Sequence, residues 1–512
     1  MIKNIINKFI IEEYKFKYLI FSILSGILLA LSFQNFNIHI FAWIALVPLI
    51  FCIYKNNLKS VIIYSLIAGF TFNIIYLYWM FPFLLHYAGK MIDTCFVSLL
   101  TWLYFSSYVV VWAVIFYLSK SKINNKILFA ILIAGIWTIL DFAKAYILTG
   151  LSWNLLAYTQ TSFLYLIQIC DIFGVYIISF VIVFVNMLIY FYIENKKIIY
   201  LIIALFTILF LCGYGYLRIN NLNIENGKKL SVGVVQPNIE QEKKWDDEYR
   251  GEIISSIEKL VSENFGNKKV DLLVYPETML PGFFERDPLI KIFVKEISNF
   301  AKINLIGGMS VEYIKEKYNS IFIVSQEGEL LNKYKKSHLI IFGEYVPFEG
   351  LLSNMFSKFI TDNNLKMEIK PKIFKLDEYT LGINICSENY YPSLSREFVL
   401  LGAEILTTHV NDAWFDGTAA LNQHFVLNIF RTIENRKYLI ISANTGISGV
   451  IDPIGKVIRK TRNQEETCFE ETVYTNNYIT IYDKIGNLFV YLCMIYTIIV
   501  FLIYRILRKK MN

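Results

Sequence analysis

Three short blocks carry reactive side chains in a fixed order along the chain. In VYPETMLPG, residues 274–282, an apolar strand ending in Leu272, Leu273 and Val274 runs into Pro276 and leaves Glu277 at its end, where a carboxylate is aimed at a cleft or at solvent. In YKKSHLIIFGEYVPF, residues 334–348, Lys336, His338 and Glu344 are spaced around an apolar core. In TLGINICSE, residues 380–388, a second apolar strand ends in Cys386, with Glu388 two positions on. Taken singly, these read as a capping or solvated glutamate, a surface lysine pair and a buried thiol. Taken together they supply a proton acceptor, a cation and a nucleophile, which suffices for acyl transfer. A thiol with an ordinary pKa of about 8.5 reacts as its thiolate and needs help at neutral pH. Glu277 can take the proton, while Lys336 can favour the thiolate and stabilise the oxyanion of a tetrahedral intermediate. No histidine is required.

The three blocks lie in a stretch from about 229 to 484 that has ordinary polarity, Gly and Pro punctuation and alternating strand and helix patterns, enough for one sizeable globular domain. The rest of the chain is different. Of 512 residues 55% are apolar and only 18% charged, too few charges for an ordinary soluble protein. A helix needs about 20 mostly apolar residues to cross a bilayer. Seven runs qualify before residue 220, at 17–34, 38–54, 59–82, 94–119, 126–147, 162–193 and 197–217, and an eighth occupies 486–507. The chain therefore divides into a membrane domain at 1–220, an external domain at 221–484, and a last span with a basic tail at 485–512.

Cytoplasmic loops carry the excess of Lys and Arg. Lys3, Lys8, Lys15 and Lys17 precede the first run, and alternate loops hold Lys55 and Lys59, then Lys120, Lys122 and Lys126, then Lys196 and Lys197. Arg505, Arg508, Lys509 and Lys510 close the chain, and the intervening loops carry only Lys90 and Lys144. Eight spans thus put both termini in the cytoplasm and the large domain outside it. The net charge of +7 is small and scattered beside apolar runs, so nucleic-acid binding is not expected. Five of the seven cysteines fall in apolar runs, there is no C-x-x-C pair, and the five histidines lack H-E-x-x-H spacing. Neither a metal site nor a disulfide framework is indicated, and no cofactor is expected.

The three blocks resemble those of the nitrilase superfamily, whose catalytic Glu, Lys and Cys occur in this order. IGGMS at 306–310, YNS at 318–320, NDAWF at 411–415, Gln423 with His424, and IDPIG at 451–455 extend the resemblance over nearly the whole domain. The branch it is similar to is the apolipoprotein N-acyltransferases, because VQPNI at 235–239 with Trp245, Trp137 with Asp141 and Lys144, and SWNLLAYTQ at 152–160 resemble that family too. The resemblance implies an α-helical membrane bundle of eight spans joined to an α/β sandwich with αββα layering. It implies Glu277 as general base, Lys336 as oxyanion and thiolate stabiliser, Cys386 as nucleophile and Glu344 as a further essential carboxylate. Glu388, Trp245 and Trp414 match positions that shape the pocket or admit substrate. Ser387 stands where an aromatic usually follows the cysteine, and Asp141 and Lys144 stand in place of Glu and Arg.

The activity so implied is a ping-pong transfer in a bacterial inner membrane. A phospholipid donates an acyl chain to Cys386 as a thioester, which passes it to the α-amine of a diacylglyceryl-cysteine on an apolipoprotein. Such an enzyme should dip apolar loops into the bilayer. Leu351, Leu352, Met355, Phe356, Phe359 and Ile360, at helical spacing, and Phe283 with Phe284 are the candidates. A membrane-tethered amidase would use the same three residues but release the acyl group to water. A transporter with a catalytically dead external domain would need ionisable residues along a path through its spans, where Asp171 and the pair Asp141 and Lys144 are the clear candidates.

Overall fold

The computed structural model describes residues 2–511 apart from 35, 89, 148–149, 313–315, 341–343, 345–364, 369, 377 and 416, and side chains from residue 15 to 506 outside those gaps and 87–88. It divides into two compact units, Met1–Leu217 with Asn487–Asn512, and Arg218–Gly486.

In the first unit six helices among the described residues are long and apolar enough to cross a membrane: Leu58–Tyr76, Met91–Ser119, Lys126–Lys144, Tyr176–Asn195, Ile199–Asn221 and Leu488–Ile506. Three of the eight expected runs are not continuous helices, and the one at 59–82 breaks between Tyr76 and Met80. Residues 38–54 form a 3-10 turn, His39–Trp43, and a nine-residue helix, Val47–Lys55, with Pro48 in its first turn. Between them the backbone unwinds, and the Asn186 side chain supplies what a bilayer would not. Its Oδ1 accepts from the Leu46 N–H at 2.9 Å and its Nδ2 donates to the Ala42 carbonyl at 2.8 Å. Residues 162–193 break at Gly174, whose φ of 72° ends the short helix Cys170–Phe173. Only Tyr176–Asn195 has a spanning length there. The run at 17–34 lies on the helix Ile2–Leu31. Asp141 and Lys144 pair at 2.9 Å, both buried, so this expected intramembrane charge pair neutralises itself.

The second unit is built on two six-stranded sheets. The first contains β1 (Lys229–Gln236), β2 (Val270–Val274), β3 (Ala301–Glu312), β4 (Glu316–Ser325) and β5 (Leu330–Lys335). The second contains β6 (Ile373–Lys375), β7 (Thr380–Ile385), β8 (Ile405–Val410), β9 (Leu439–Ala443), β10 (Gly449–Ile451) and β11 (Val457–Lys460). The last strand, β12 (Thr467–Tyr474), returns to the first sheet, giving the orders β12-β1-β2-β3-β4-β5 and β11-β10-β9-β8-β7-β6. Each sheet has a parallel trio, β1-β2-β3 and β7-β8-β9, flanked by antiparallel strands. Parallel strands covered on both faces read as continuous apolar runs, which is why β2 and β7 stand out in the sequence.

Amphipathic helices cover the outer faces. Arg250–Phe265 presents Ile253, Ile257, Leu260 and Val261 to the first sheet, and Pro288–Ser298 adds Ile290, Phe293, Val294 and Ile297. The second of these helices starts cleanly because Asp287 accepts from the Leu289 N–H at 2.9 Å and Pro288 needs no partner. Phe284, an expected bilayer contact, is 5% exposed and packs edge-on against Phe322 at 5.2 Å, so it is core. The expected apolar stripe at 351–360 lies outside the described residues.

Polar contacts join the two sheets. Ser442 Oγ donates to the Val235 carbonyl at 2.8 Å. His409 Nδ1 stands 2.6 Å from the Tyr275 carbonyl, and Nε2 is 3.0 Å from Thr407 Oγ1. Burial holds the His409 pKa down to about 4, so the ring is neutral and donates from Nδ1 to that carbonyl. A residue of β8 thus fixes the segment that carries Glu277.

Candidate active site

The parallel strands of both sheets end at one place, the usual position for a site in open α/β sheets. Glu277 follows β2, Cys386 follows β7, and Asn411 and Asp412 follow β8. Lys336 follows β5. Both Glu277 and Cys386 sit beside left-handed backbone: Thr278 has φ 47° and Cys386 itself φ 51°. Such positions are strained for residues with a Cβ and cluster at functional sites.

Glu277 is 5% exposed and every contact of its carboxylate is specific. Oε1 accepts from Asn319 Nδ2 at 2.7 Å and lies 3.5 Å from Lys336 Nζ, while Oε2 accepts from the Asn411 N–H at 2.9 Å. Lys336 is fully buried and donates to Glu344 Oε1 at 2.8 Å. Glu344 Oε2 in turn accepts from the Ile340 N–H at 2.9 Å. Burial alone would lower the Lys336 pKa, but Glu344 and then Glu277 reverse this and hold the ammonium well above its ordinary range. Lys336 is therefore a permanent cation between two carboxylates.

The Cys386 thiol is nine-tenths buried, within electrostatic reach of Glu277, Lys336, Asp412 and Glu344. Burial first and the Glu277 charge second push it well above the ordinary thiol range, with Lys336 opposing. Two carboxylates already take up the charge of Lys336.

Glu388 is fully buried and straps two loops together. Its Oε1 accepts from the Ser337 N–H at 2.6 Å and the His338 N–H at 3.2 Å, and its Oε2 accepts from the Ile385 N–H at 2.7 Å. Tyr334 donates to the same carboxylate at 2.9 Å. Burial raises the Glu388 pKa against the pull of these donors. The strap fixes the segment after Lys336 to the residue before Cys386. Trp245 and Trp414 are 52% and 37% exposed, outside the charged cluster.

Four contributors escape a reading of the blocks. Asn319 Nδ2 also lies 3.3 Å from Glu344 Oε1, bridging both carboxylates. Lys244 is buried and donates to Thr278 Oγ1 at 2.9 Å and to the Glu277 carbonyl at 3.3 Å; burial lowers its pKa to about 7 against the Glu277 charge. Gly307 leaves room for the Glu277 loop, since a Cβ there would fall 2.0 Å from the Pro276 carbonyl oxygen and 2.8 Å from Glu277 Cα. Asp412 and His424 pair at 2.8 Å, and one ligand atom from each lies within 4.8 Å of Cys386 Sγ. IGGMS, YNS, NDAWF and the Gln423 and His424 pair mark most of these positions in the sequence without giving their contacts.

Residues 25–188 match the family described as the apolipoprotein N-acyltransferase N-terminal domain, and residues 231–476 match the carbon-nitrogen hydrolases. The chain is 31% identical over 489 residues to an apolipoprotein N-acyltransferase of Geobacter metallireducens, covering 92% of each. It is 28% identical over 529 residues to that of Haemophilus influenzae, covering 97% of this chain and 96% of the other. The solved structure of Saccharomyces cerevisiae Nit3, of the nitrilase superfamily, is 19% identical with a TM-score of 0.37, over 49% of this chain and 92% of that one. A membrane-helix unit and a carbon-nitrogen hydrolase unit, matched together along nine-tenths of the length of a relative, settle the lineage: the chain belongs to the apolipoprotein N-acyltransferase family.

Proposed function

We propose that this enzyme, an acyltransferase of lipoprotein maturation, takes its acyl group from a phospholipid and carries it as a thioester on Cys386. Glu277 removes the thiol proton as Sγ attacks the ester carbon. Lys336 faces the oxyanion, and the proton on Glu277 passes to the departing lysophospholipid alkoxide. An α-amine of a diacylglyceryl-cysteine then attacks the thioester, Glu277 takes a proton from the nitrogen, and collapse expels Cys386 with that proton returned to sulfur. Glu344 keeps Lys336 in place, Glu388 keeps the cysteine turn in place, and Trp245 and Trp414 line the approach of acyl chains.

The observation that carries this reading is the charged trio itself. Lys336 sits at 2.8 Å from Glu344 and 3.5 Å from Glu277, with the Cys386 thiol in electrostatic reach of all three. A preorganised cation in a dry pocket stabilises developing oxyanion charge more than water does. Exclusion of water also favours aminolysis of the thioester over hydrolysis.

The membrane placement belongs to the same reading. Eight crossings of the bacterial inner membrane, counting Ile2–Leu31 and the broken segment His39–Lys55, put both termini in the cytoplasm and residues 221–484 in the periplasm. The clustering of Lys and Arg in alternate loops supports it.

The test is the intact mass of the detergent-purified protein after incubation with a phospholipid. Wild type should gain one acyl chain, removable by hydroxylamine, and Cys386→Ala should gain none. No adduct and no lysophospholipid from wild type would overturn the donor assignment.

A further inference from the structure

The Asp412 and His424 pair is a second polar cluster beside Cys386, held in a chain of oriented side-chain amides. Asn428 Nδ2 donates to the Phe425 carbonyl at 3.1 Å, which fixes the orientation of that amide. Asn428 Oδ1 therefore accepts, from Thr408 Oγ1 at 3.3 Å and from Asn389 Nδ2 at 3.1 Å. Asn389 is then oriented too, and its Oδ1 faces His424 Nε2 at 3.2 Å. An amide oxygen cannot donate, so Nε2 carries a hydrogen. The other ring nitrogen, Nδ1, meets Asp412 Oδ1 at 2.8 Å. All four side chains are buried, and Asn389 lies on the 3-10 turn that Cys386 begins.

We infer that Asp412, held by His424, is the docking site for the acceptor's α-ammonium beside the Cys386 thioester, and that it sets the preference for an amine acceptor. The first half-reaction brings a neutral ester and has no use for a second carboxylate at the thiol; a nearby negative charge even opposes thiolate formation. The second half-reaction brings a primary ammonium, which a buried carboxylate within 4.8 Å of the sulfur attracts strongly. The arriving ammonium donates to the Asp412 carboxylate, which His424 Nδ1 holds in place at 2.8 Å. The ammonium releases one proton to solvent and becomes the attacking amine. Its nitrogen forms the C–N bond and gives a second proton to Glu277. The C–S bond breaks, and Glu277 returns that proton to Cys386 Sγ. One amide and one free thiol result, with one proton released. Asp412 binds the acceptor, and His424 is a positioning residue acting through it.

This inference rests on the thioester reading, and the experiment separates the two. The probes are a phospholipid for loading and a diacylglyceryl-cysteine peptide with a free α-amine for discharge, each step followed by intact mass. For Asp412→Asn, discharge into the peptide should fall at least tenfold more than loading does. Hydroxylamine, neutral at pH 7, should discharge the loaded variant within about threefold of the wild-type rate, which also reports that the site is folded. His424→Gln should show the same pattern with a smaller loss, as a higher peptide concentration for half-maximal discharge. Equal losses in loading and in discharge, or an equal loss with hydroxylamine, would overturn the docking role. So would a variant that does not load. Absence of a thioester on wild type would instead sink the thioester reading.

Discussion

Replacing Lys336 by methionine removes the single cation from the charged trio while keeping most of its volume. Glu277 and Glu344 are then left in one buried pocket, joined by Asn319 Nδ2 at 2.7 Å and 3.3 Å. At 2.8 Å and 3.5 Å the two attractions lost are about 6 and about 5 kcal/mol for an effective dielectric of about 20. Relief from burying the ammonium offsets much of this, so the net expectation is that of breaking a buried pair, about 3–5 kcal/mol. For a domain of this size that lowers the unfolding midpoint by on the order of 10 °C. The informative variant is the double one. Glu344→Gln in the Lys336→Met background removes the excess charge, leaves Glu277 with its donors from Asn319 and Asn411, and should recover at least about 2 kcal/mol. Thermal unfolding of the detergent-solubilised wild type, both singles and the double gives the cycle. Thioester formation should stay at least about 100-fold down in the double, since the oxyanion has lost its cation. A double variant no more stable than Lys336→Met would refute the reasoning, because Lys336 would then be held by packing and not by charge.

Two further outcomes test the frame around the site. Gly307→Ala should lower acylation on the order of 100-fold, because its Cβ would meet the Pro276 carbonyl at 2.0 Å and push Glu277 aside, whereas at Gly308 the nearest atoms are side-chain ends of Leu280 and Phe322 at 3.0 Å, so Gly308→Ala should lose far less; equal losses in the acyl-adduct assay would show that the loop is not held by Gly307. Asp452 is buried with its pKa raised to about 6 from 3.8, so the stability it contributes is full below about pH 4 and is lost as pH rises through 6. Asp452→Asn should flatten the unfolding midpoint between pH 4 and pH 7, a gain relative to wild type on the order of 3 kcal/mol at neutral pH; an unchanged slope would mean that the N–H donors of Ile454 and Lys456 already compensate the charge.

Glu277 and Cys386 were legible because each ends an apolar run, and a reactive group at a strand end is a pattern with a physical cause. Lys336 was legible only through their company; alone, a Lys-Lys pair reads as surface, and yet this one is fully buried. The contacts that make the trio work are not local. Asn411 binds Glu277 across 134 residues and Asn319 binds it across 42, so no spacing rule could have found them. Asp412 and His424 were visible as motif letters, but their polarity depends on an amide chain through Asn389 and Asn428. In the membrane half, hydropathy marks 38–54 as one run, but an asparagine 140 residues away holds its backbone unwound, a contact no hydropathy window carries.

The return of β12 to pair with β1 has a consequence for the order in which the protein becomes an enzyme. The whole second sheet, with Cys386 and Asp412, lies in sequence between the fifth and the last strand of the first sheet. During synthesis the nucleophile therefore emerges while the sheet carrying Glu277 still has an open edge at Val232 and Val234, residues that β12 pairs with through Glu471 and Phe469. Until Tyr474 has arrived, β1 lacks its antiparallel neighbour. The first sheet is complete only with this final strand, about a dozen residues before the helix at Leu488.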